Sequence, residues 1–206
     1  MSVAVQRTRR RQQREETRAQ IMDVARELLL DHSYRDLSVD ALMSRTGHTR
    51  TVFYRHFDDV PSLVLTLIAE TGGELVEIGE QWGRRDVTNP DEARRQLELF
   101  VSFYARNGRL VRAVAEASHH DELVHQAYTA LIERFIALTS DAMERRVDRG
   151  EVAALDAPEI ARALVWMLNG YLLDKLGRGG DADLDRVLDT VWTVWTRTIF
   201  PSAPTA

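Results

Sequence analysis

A chain of 206 residues, 44% hydrophobic and 29% charged, has room for one ordinary globular domain or a small one followed by a larger one, and its balance is that of a soluble globular protein. The longest charge-free apolar run, 163–173, is too short to span a bilayer, the Arg-rich start lacks the apolar stretch of a secretory signal, and the absence of Cys excludes a disulfide framework, a thiolate metal site and a cysteine nucleophile, so the cytoplasm is the expected location. The net charge of −5 conceals an asymmetry: residues 1–57 hold 11 Arg against 7 Asp plus Glu, a net of +4, whereas residues 58–206 hold 16 basic against 25 acidic residues, a net of −9, which makes the N-terminal end the candidate for a polyanion.

Helical periodicity runs through the chain with no convincing alternation of apolar and polar residues, which predicts an all-α fold. Residues 1–14, with Arg7, Arg9, Arg10, Arg11 and Arg14 and few large apolar side chains, read as a mobile basic arm. A first helix is expected over 15–31, with Ile21, Val24, Ala25, Leu28 and Leu29 on one face. Ser38 then has the chemistry of an N-cap for a short helix that carries Val39, Leu42 and Met43 inward and stops at Gly47, a residue able to take positive φ. Thr49 is the next cap, and Val52, Phe53 and Phe57 are the apolar positions of the short helix it opens. Asp58, Asp59, Val60 and Pro61 read as the start of a fourth, longer helix that runs toward Trp82 through Gly72 and Gly73, a pair able to bend it. A loop is expected at 84–90, then helices near 91–106, 109–118, 121–149, 157–177 and 182–200, punctuated by Gly108, Gly150, Pro158 and the glycines of 177–180. The domains expected are the arm at 1–14, a three-helix DNA-binding domain at 15–60, and a helical bundle at 61–206.

Function is most legible in the block 38–57. Two short helices joined by a turn containing Gly make a helix-turn-helix, whose second helix is free to enter a major groove. With Phe53 and Phe57 inward, helical geometry turns Arg50, Thr51, Tyr54 and Arg55 outward: a guanidinium that can fork onto guanine, and hydroxyls suited to base edges or phosphates. The same cluster on a helix of another kind would be an ordinary solvated face. At these residues the sequence resembles the TetR family of bacterial one-component repressors, whose recognition helix ends in an aromatic-Tyr-x-His-aromatic pattern matched by Phe53, Tyr54, Arg55, His56 and Phe57. The resemblance is close over 18–70. It implies base or groove contacts at Arg50, Thr51, Val52 and Tyr54, and phosphate contacts at Ser38, Thr49, Tyr54 and His56. Two positions depart from the pattern: His48 stands where a small apolar turn residue is usual, and Val60 where the family often has a phosphate-gripping Lys.

The stretch 163–173 is apolar on nearly all sides, and a helix of that kind must be covered on all sides. Leu184, Val187, Leu188, Val191, Val194, Trp195 and Ile199 form an apolar stripe on the final helix. Together they predict a homodimer through a four-helix interface, as the family resemblance also implies. Two recognition helices in one two-fold dimer require an inverted-repeat, double-stranded operator. Phe100, Phe103, Tyr104, Tyr128, Phe135, Trp166, Asn169 and Trp195 are the candidates for a pocket that takes a small hydrophobic effector, and aromatics at this spacing are equally compatible with plain core. The order of the C-terminal helices is loosely similar to that of the ethionamide-resistance branch of the family, which implies a hydrophobic pocket along the bundle. Asn169, in mid-helix among apolar residues, needs a hydrogen-bond partner from protein or ligand. His119, His120 and Asp121 are the one metal-like cluster, but neighbouring side chains on a helix diverge by about 100°, so neither a metal nor a cofactor is expected. A Gly-rich phosphate loop, a nucleophile elbow and a zinc-protease motif are all absent from the sequence, which argues against an enzyme. A repressor released from DNA by an effector is the favoured reading, with an architectural DNA-binding protein without a ligand as the first alternative and an all-α enzyme as the second.

Overall fold

The computed structural model describes residues 3–32, 34–84, 90–151 and 155–199. Among the described residues the chain forms eight α-helices and no strand: α1 (Val3–Asp31), α2 (Val39–Thr46), α3 (Arg50–Phe53), α4 (Val60–Arg84), α5 (Pro90–Ala117), α6 (Glu122–Asp148), α7 (Ala157–Leu176) and α8 (Leu184–Ile199), with a 3-10 turn at Tyr34–Asp36. The all-α expectation holds. The loop expected at 84–90 lies, over 85–89, outside the described residues. The helices group into two units, Met1–Ala69 with Ala113–His125, and Glu70–Arg112 with Gln126–Ala206.

In the first unit, α1 buries Ile21, Met22, Ala25, Leu28 and Leu29, the three- and four-residue spacing that puts side chains on one helical face. Against it packs α2, and here the local signals act as expected. Ser38 is extended (φ −133°, ψ 158°) and its Oγ accepts the Ala41 N–H at 3.2 Å, while Gly47 ends the helix with φ 69°, which a side chain with a Cβ resists. Asp59 and Ser62 form a reciprocal cap at the start of α4: Asp59 Oδ1 accepts the Ser62 N–H at 2.7 Å and Ser62 Oγ accepts the Asp59 N–H at 3.2 Å.

Two features of this unit differ from the sequence reading. The basic segment is helix and not an irregular arm, because α1 starts at Val3. Side chains at 5–14 stay exposed, so burial does not hold it; it extends the same helix that buries Ile21 and Met22, with Arg11 Nε to Glu15 at 2.9 Å and Gln12 to Glu16 at 3.0 Å adding little, and Arg14 Nη2 donates to the Arg55 carbonyl at 3.1 Å. The corner at 113–125, expected with the C-terminal bundle, groups with the first unit. Its Asp121 caps α6 by accepting the Leu123 and Val124 N–H groups at 3.0 Å, and also accepts from the Tyr34 hydroxyl at 3.3 Å. Burial and the Asp121 charge push the Tyr34 phenol up to about 12, so it remains a donor. Arg35 Nη2 lies 3.3 Å from His120 Nδ1.

The second unit is a bundle built from the remainder of α4 through α8. Gly108 does not break α5, which is continuous where two helices were expected. A Cβ at Gly108 would lie 2.8 Å from the Leu176 carbonyl oxygen, so glycine here permits a backbone-to-backbone approach of α5 and α7. Similarly α4 runs unbroken through Gly72 and Gly73: a Cβ on the first would press on Leu131 at 3.1 Å, and one on the second meets nothing within 4 Å. Replacing Gly73 by Ala is therefore expected to raise stability by roughly 0.5–1 kcal/mol through the helix backbone alone. Gly108→Ala is expected to lower it by about 1–3 kcal/mol through overpacking. Urea unfolding midpoints of the two variants check both signs.

Candidate nucleic-acid interface and effector cavity

A helix as short as α3 has no stability of its own, and its orientation is set by what it buries. Phe53 is fully buried and Phe57, in the turn that follows, is nearly so; their rings lie 5.7 Å apart, and the Arg18 guanidinium covers the Phe57 ring at 5.2 Å. The preceding turn is held by Thr46, whose buried hydroxyl donates to the Met43 carbonyl at 3.2 Å and accepts the His48 N–H at 3.3 Å. Thr49 caps α3 through its backbone, its hydroxyl making no capping bond. With the two rings inward, Arg50, Thr51, Tyr54 and Arg55 are exposed, as is Ser38 at the head of α2, while Val52 and His56 are half-buried. All eight candidate DNA contacts thus belong to one contiguous stretch of the first unit.

Beside this face the N-terminal part of α1 forms the wall of an open cleft of about 470 Å³. Arg10, Gln13, Arg14 and Thr17 face His48, Val52, Arg55 and His56 across it. Burial, followed by the nearby charges of Arg14, Arg18, Arg55 and His48, lowers the pKa of His56 below the usual imidazole value, leaving it neutral at pH 7. The departure at His48 is accommodated by placing the ring here, with Nε2 3.1 Å from Gln20 Oε1.

In the second unit a narrow cavity of about 40 Å³ lies among α4, α5, α6, α7 and α8. Five of the aromatic and amide candidates border it: Phe100, Tyr104, Phe135, Asn169 and Trp195. Phe100 and Phe135 meet edge to face at 5.7 Å. Asn169 is satisfied by protein: its Oδ1 accepts from the Tyr104 hydroxyl at 2.8 Å and its Nδ2 donates to the Tyr128 oxygen at 2.9 Å. Burial raises the pKa of both phenols, which keeps them neutral. Tyr128 touches the cavity only through Asn169, and Phe103 is core, stacked edge to face on Tyr104 at 5.6 Å. Trp166 corrects the sequence reading: it is 43% exposed on the opposite face of α7, with Met167 at 40% beside it. Helical phase decides this, since Leu164, Val165, Leu168, Asn169 and Leu172 take the inward side. Sequence reasoning did not find Leu75, Gly79, Leu97, Leu138 and Thr139, which also line the cavity. Gly79 carried a possible signal, as its missing Cβ is what lets the Phe135 ring approach α4, with Cε1 2.5 Å from where that Cβ would sit.

Comparison with known proteins decides the family. Residues 21–65 match the family described as bacterial regulatory proteins, tetR family, and residues 93–201 match that described as transcriptional regulator EthR, C-terminal domain. The chain belongs to the TetR family of transcriptional regulators. The same fold is found in solved TetR-family structures. One is a transcriptional regulator of Syntrophomonas wolfei, 14% identical, with a TM-score of 0.74 over 93% of this chain and 99% of that one. Another is the regulator PfmR of Thermus thermophilus, 20% identical, with a TM-score of 0.72 over 86% and 97%. No helix among the described residues of this TetR-family chain is long and apolar enough to cross a membrane. The metal-like trio has structural partners instead: His119 Nδ1 lies 2.8 Å from the Ala115 carbonyl, His120 meets Arg35, and Asp121 is a cap.

The neutral state of His56 has a consequence for stability. With its folded pKa depressed below the unfolded value of about 6.5, the unfolded chain binds more protons in the window beneath that value. Stability is therefore whole above this window and declines as pH falls through it. His56→Gln is expected to flatten that decline, which urea midpoints measured from about pH 8 down to pH 5 would register.

Proposed function

We propose that the chain is an effector-responsive transcriptional repressor that binds an inverted-repeat operator as a homodimer and is released by a small hydrophobic molecule. The observation that carries the DNA-binding part is the outward face Arg50, Thr51, Tyr54 and Arg55, held opposite two buried rings on a helix that follows a left-handed Gly turn. Arg50 and Thr51 are its base readers, with Val52 and Tyr54 beside them in the groove, and Ser38, Thr49, Tyr54 and His56 are its phosphate contacts. The α1 cleft adds Arg10, Arg14 and Arg55 to the backbone-binding surface, in place of the lysine missing at Val60.

The outward residues of α7 and α8, among them Trp166, Met167, Leu184 and Val194, leave large apolar area in water, and a second copy of the same two helices covers it in a two-fold interface. The effector occupies the Phe100–Phe135 cavity. At about 40 Å³ the space is well below the few hundred cubic ångströms of a ligand pocket, so the compound must open it, by turning the edge-to-face rings or by exchanging its own polar group for one of the Asn169 bonds. Release follows from differential affinity: a compound that fits only the opened bundle favours dimers whose reading heads no longer match successive grooves.

Selection of bound DNA from a random pool, read with the full chain, tests the first part. An inverted repeat is expected, and Arg50→Ala is expected to cost about 1–3 kcal/mol of base discrimination at one position in each half-site; recovery of no consensus would overturn the reading. Met167→Glu is expected to yield a folded monomer in sedimentation, whereas Leu172→Glu, at a position buried in its own subunit, is expected to unfold the bundle. A hydrophobic compound library screened by anisotropy on the selected operator tests release, and a library in which binders never dissociate DNA favours an architectural role.

A further inference from the structure

The guanidinium of Arg50 does not stand alone. Its Nε lies 2.6 Å from Asp40 Oδ1 and its Nη2 donates to Asp40 Oδ2 at 2.8 Å, a two-point pairing across the turn between α3 and α2. Both side chains are about two-thirds exposed, 64% and 69%, and an ion pair in that setting adds little to folding stability. Asp40 itself is well placed in the first turn of α2, where the helix N-terminus favours a carboxylate.

The geometry of the pairing is specific. A guanidinium has a side edge, made of Nε–H and one Nη2 hydrogen, and an end edge, made of one hydrogen from each Nη. Asp40 takes the side edge. The end edge, the two-pronged fork that matches O6 and N7 of guanine, stays open. A carboxylate fixed on the side edge also removes rotamer freedom from a long side chain and places a negative charge where a phosphate oxygen would otherwise approach.

We propose that Asp40 is a specificity-determining positioning residue: by holding the side edge of Arg50 it presents the end fork to one guanine of each half-site and keeps it off the backbone. This inference rests on the reading of Arg50 as a base contact. Asp40 touches no base in this role and acts through Arg50, so its effect must vanish when Arg50 is absent.

The test is a double-mutant cycle on the full chain, with wild type, Asp40→Asn, Arg50→Ala and the double variant all measured against the selected operator, against operators with the critical guanine replaced, and against unrelated duplex DNA. Melting curves show that each variant is folded, and Asp40→Asn keeps the size of the side chain. Asp40→Asn is expected to reduce discrimination at the Arg50-dependent position about tenfold, within the range a two-pronged guanine contact supplies. The variant is also expected to bind unrelated DNA more tightly, because a negative charge is gone and the fork is free to find phosphates. In the Arg50→Ala background the same substitution is expected to leave discrimination at that position unchanged. Equal tightening on every sequence with discrimination retained would overturn the proposal and make Asp40 only a source of repulsion. Loss of discrimination that persists without Arg50 would overturn it in favour of a direct base contact by Asp40. If Arg50→Ala itself retains full base preference, the recognition-face assignment fails first, and the proposal falls with it.

Discussion

The outward face that follows the Gly47 turn depends on two phenylalanine rings. A helix of four residues closes too few backbone hydrogen bonds to form alone, so α3 exists because Phe53 and Phe57 are anchored in the core of the first unit. Removing rings of this size from water is worth about 1.5–3 kcal/mol each, enough to fix the phase of a short helix whose outer half is left wet. Every outward-facing residue inherits its direction from that anchorage. The Arg18 cation over the Phe57 ring extends the same anchor to α1, and Arg14 donates to the Arg55 carbonyl, a second tie between α1 and the turn after α3.

The second unit is organised by a polar group. Asn169 sits among apolar side chains, and its amide oxygen and nitrogen each find a partner in the hydroxyls of Tyr104 and Tyr128, contributed by α5 and α6. A buried amide with one bond missing would cost on the order of 1–3 kcal/mol, so the trio specifies how three helices meet where apolar packing alone would accept slippage. It also gives the adjoining cavity a polar wall in otherwise apolar surroundings.

How much was legible beforehand follows from the range of the interactions involved. Ser38, Gly47 and Asp59 act through their own backbone or on groups a few residues away, and their roles could be read directly, whereas the Thr49 hydroxyl makes no capping bond. The outward direction of Arg50, Thr51, Tyr54 and Arg55 was also legible, since the phase of a helix follows from its two buried aromatics. Gly108 was misread as a break because its partner, the Leu176 carbonyl, is distant in sequence, and a glycine that makes room for a neighbour looks the same as one that ends a helix. Trp166 and Trp195 are the same residue type, yet one faces out and the other borders the cavity. The stripe of α8 already turns Trp195 inward, whereas α7 is apolar on nearly all sides and only its packing shows which way Trp166 faces. The bond between Asp40 and Arg50 crosses a turn, and the sequence reading singled out only Arg50, for DNA. The basic segment was taken for a mobile arm because it buries nothing, yet it continues α1 as an unbroken helical extension.

The glycine contacts of the bundle have a mechanical meaning. Where α5 meets α7, main chain rests on main chain at Gly108 and Leu176, and nothing there can turn aside. Where α4 meets α6, the contacts are the Phe135 ring against Gly79 and the Leu131 side chain against Gly72, groups that rotate about single bonds. Strain at the α4–α6 contact can therefore be relieved by rotating a side chain, whereas at the α5–α7 contact it can be relieved only by displacing main chain.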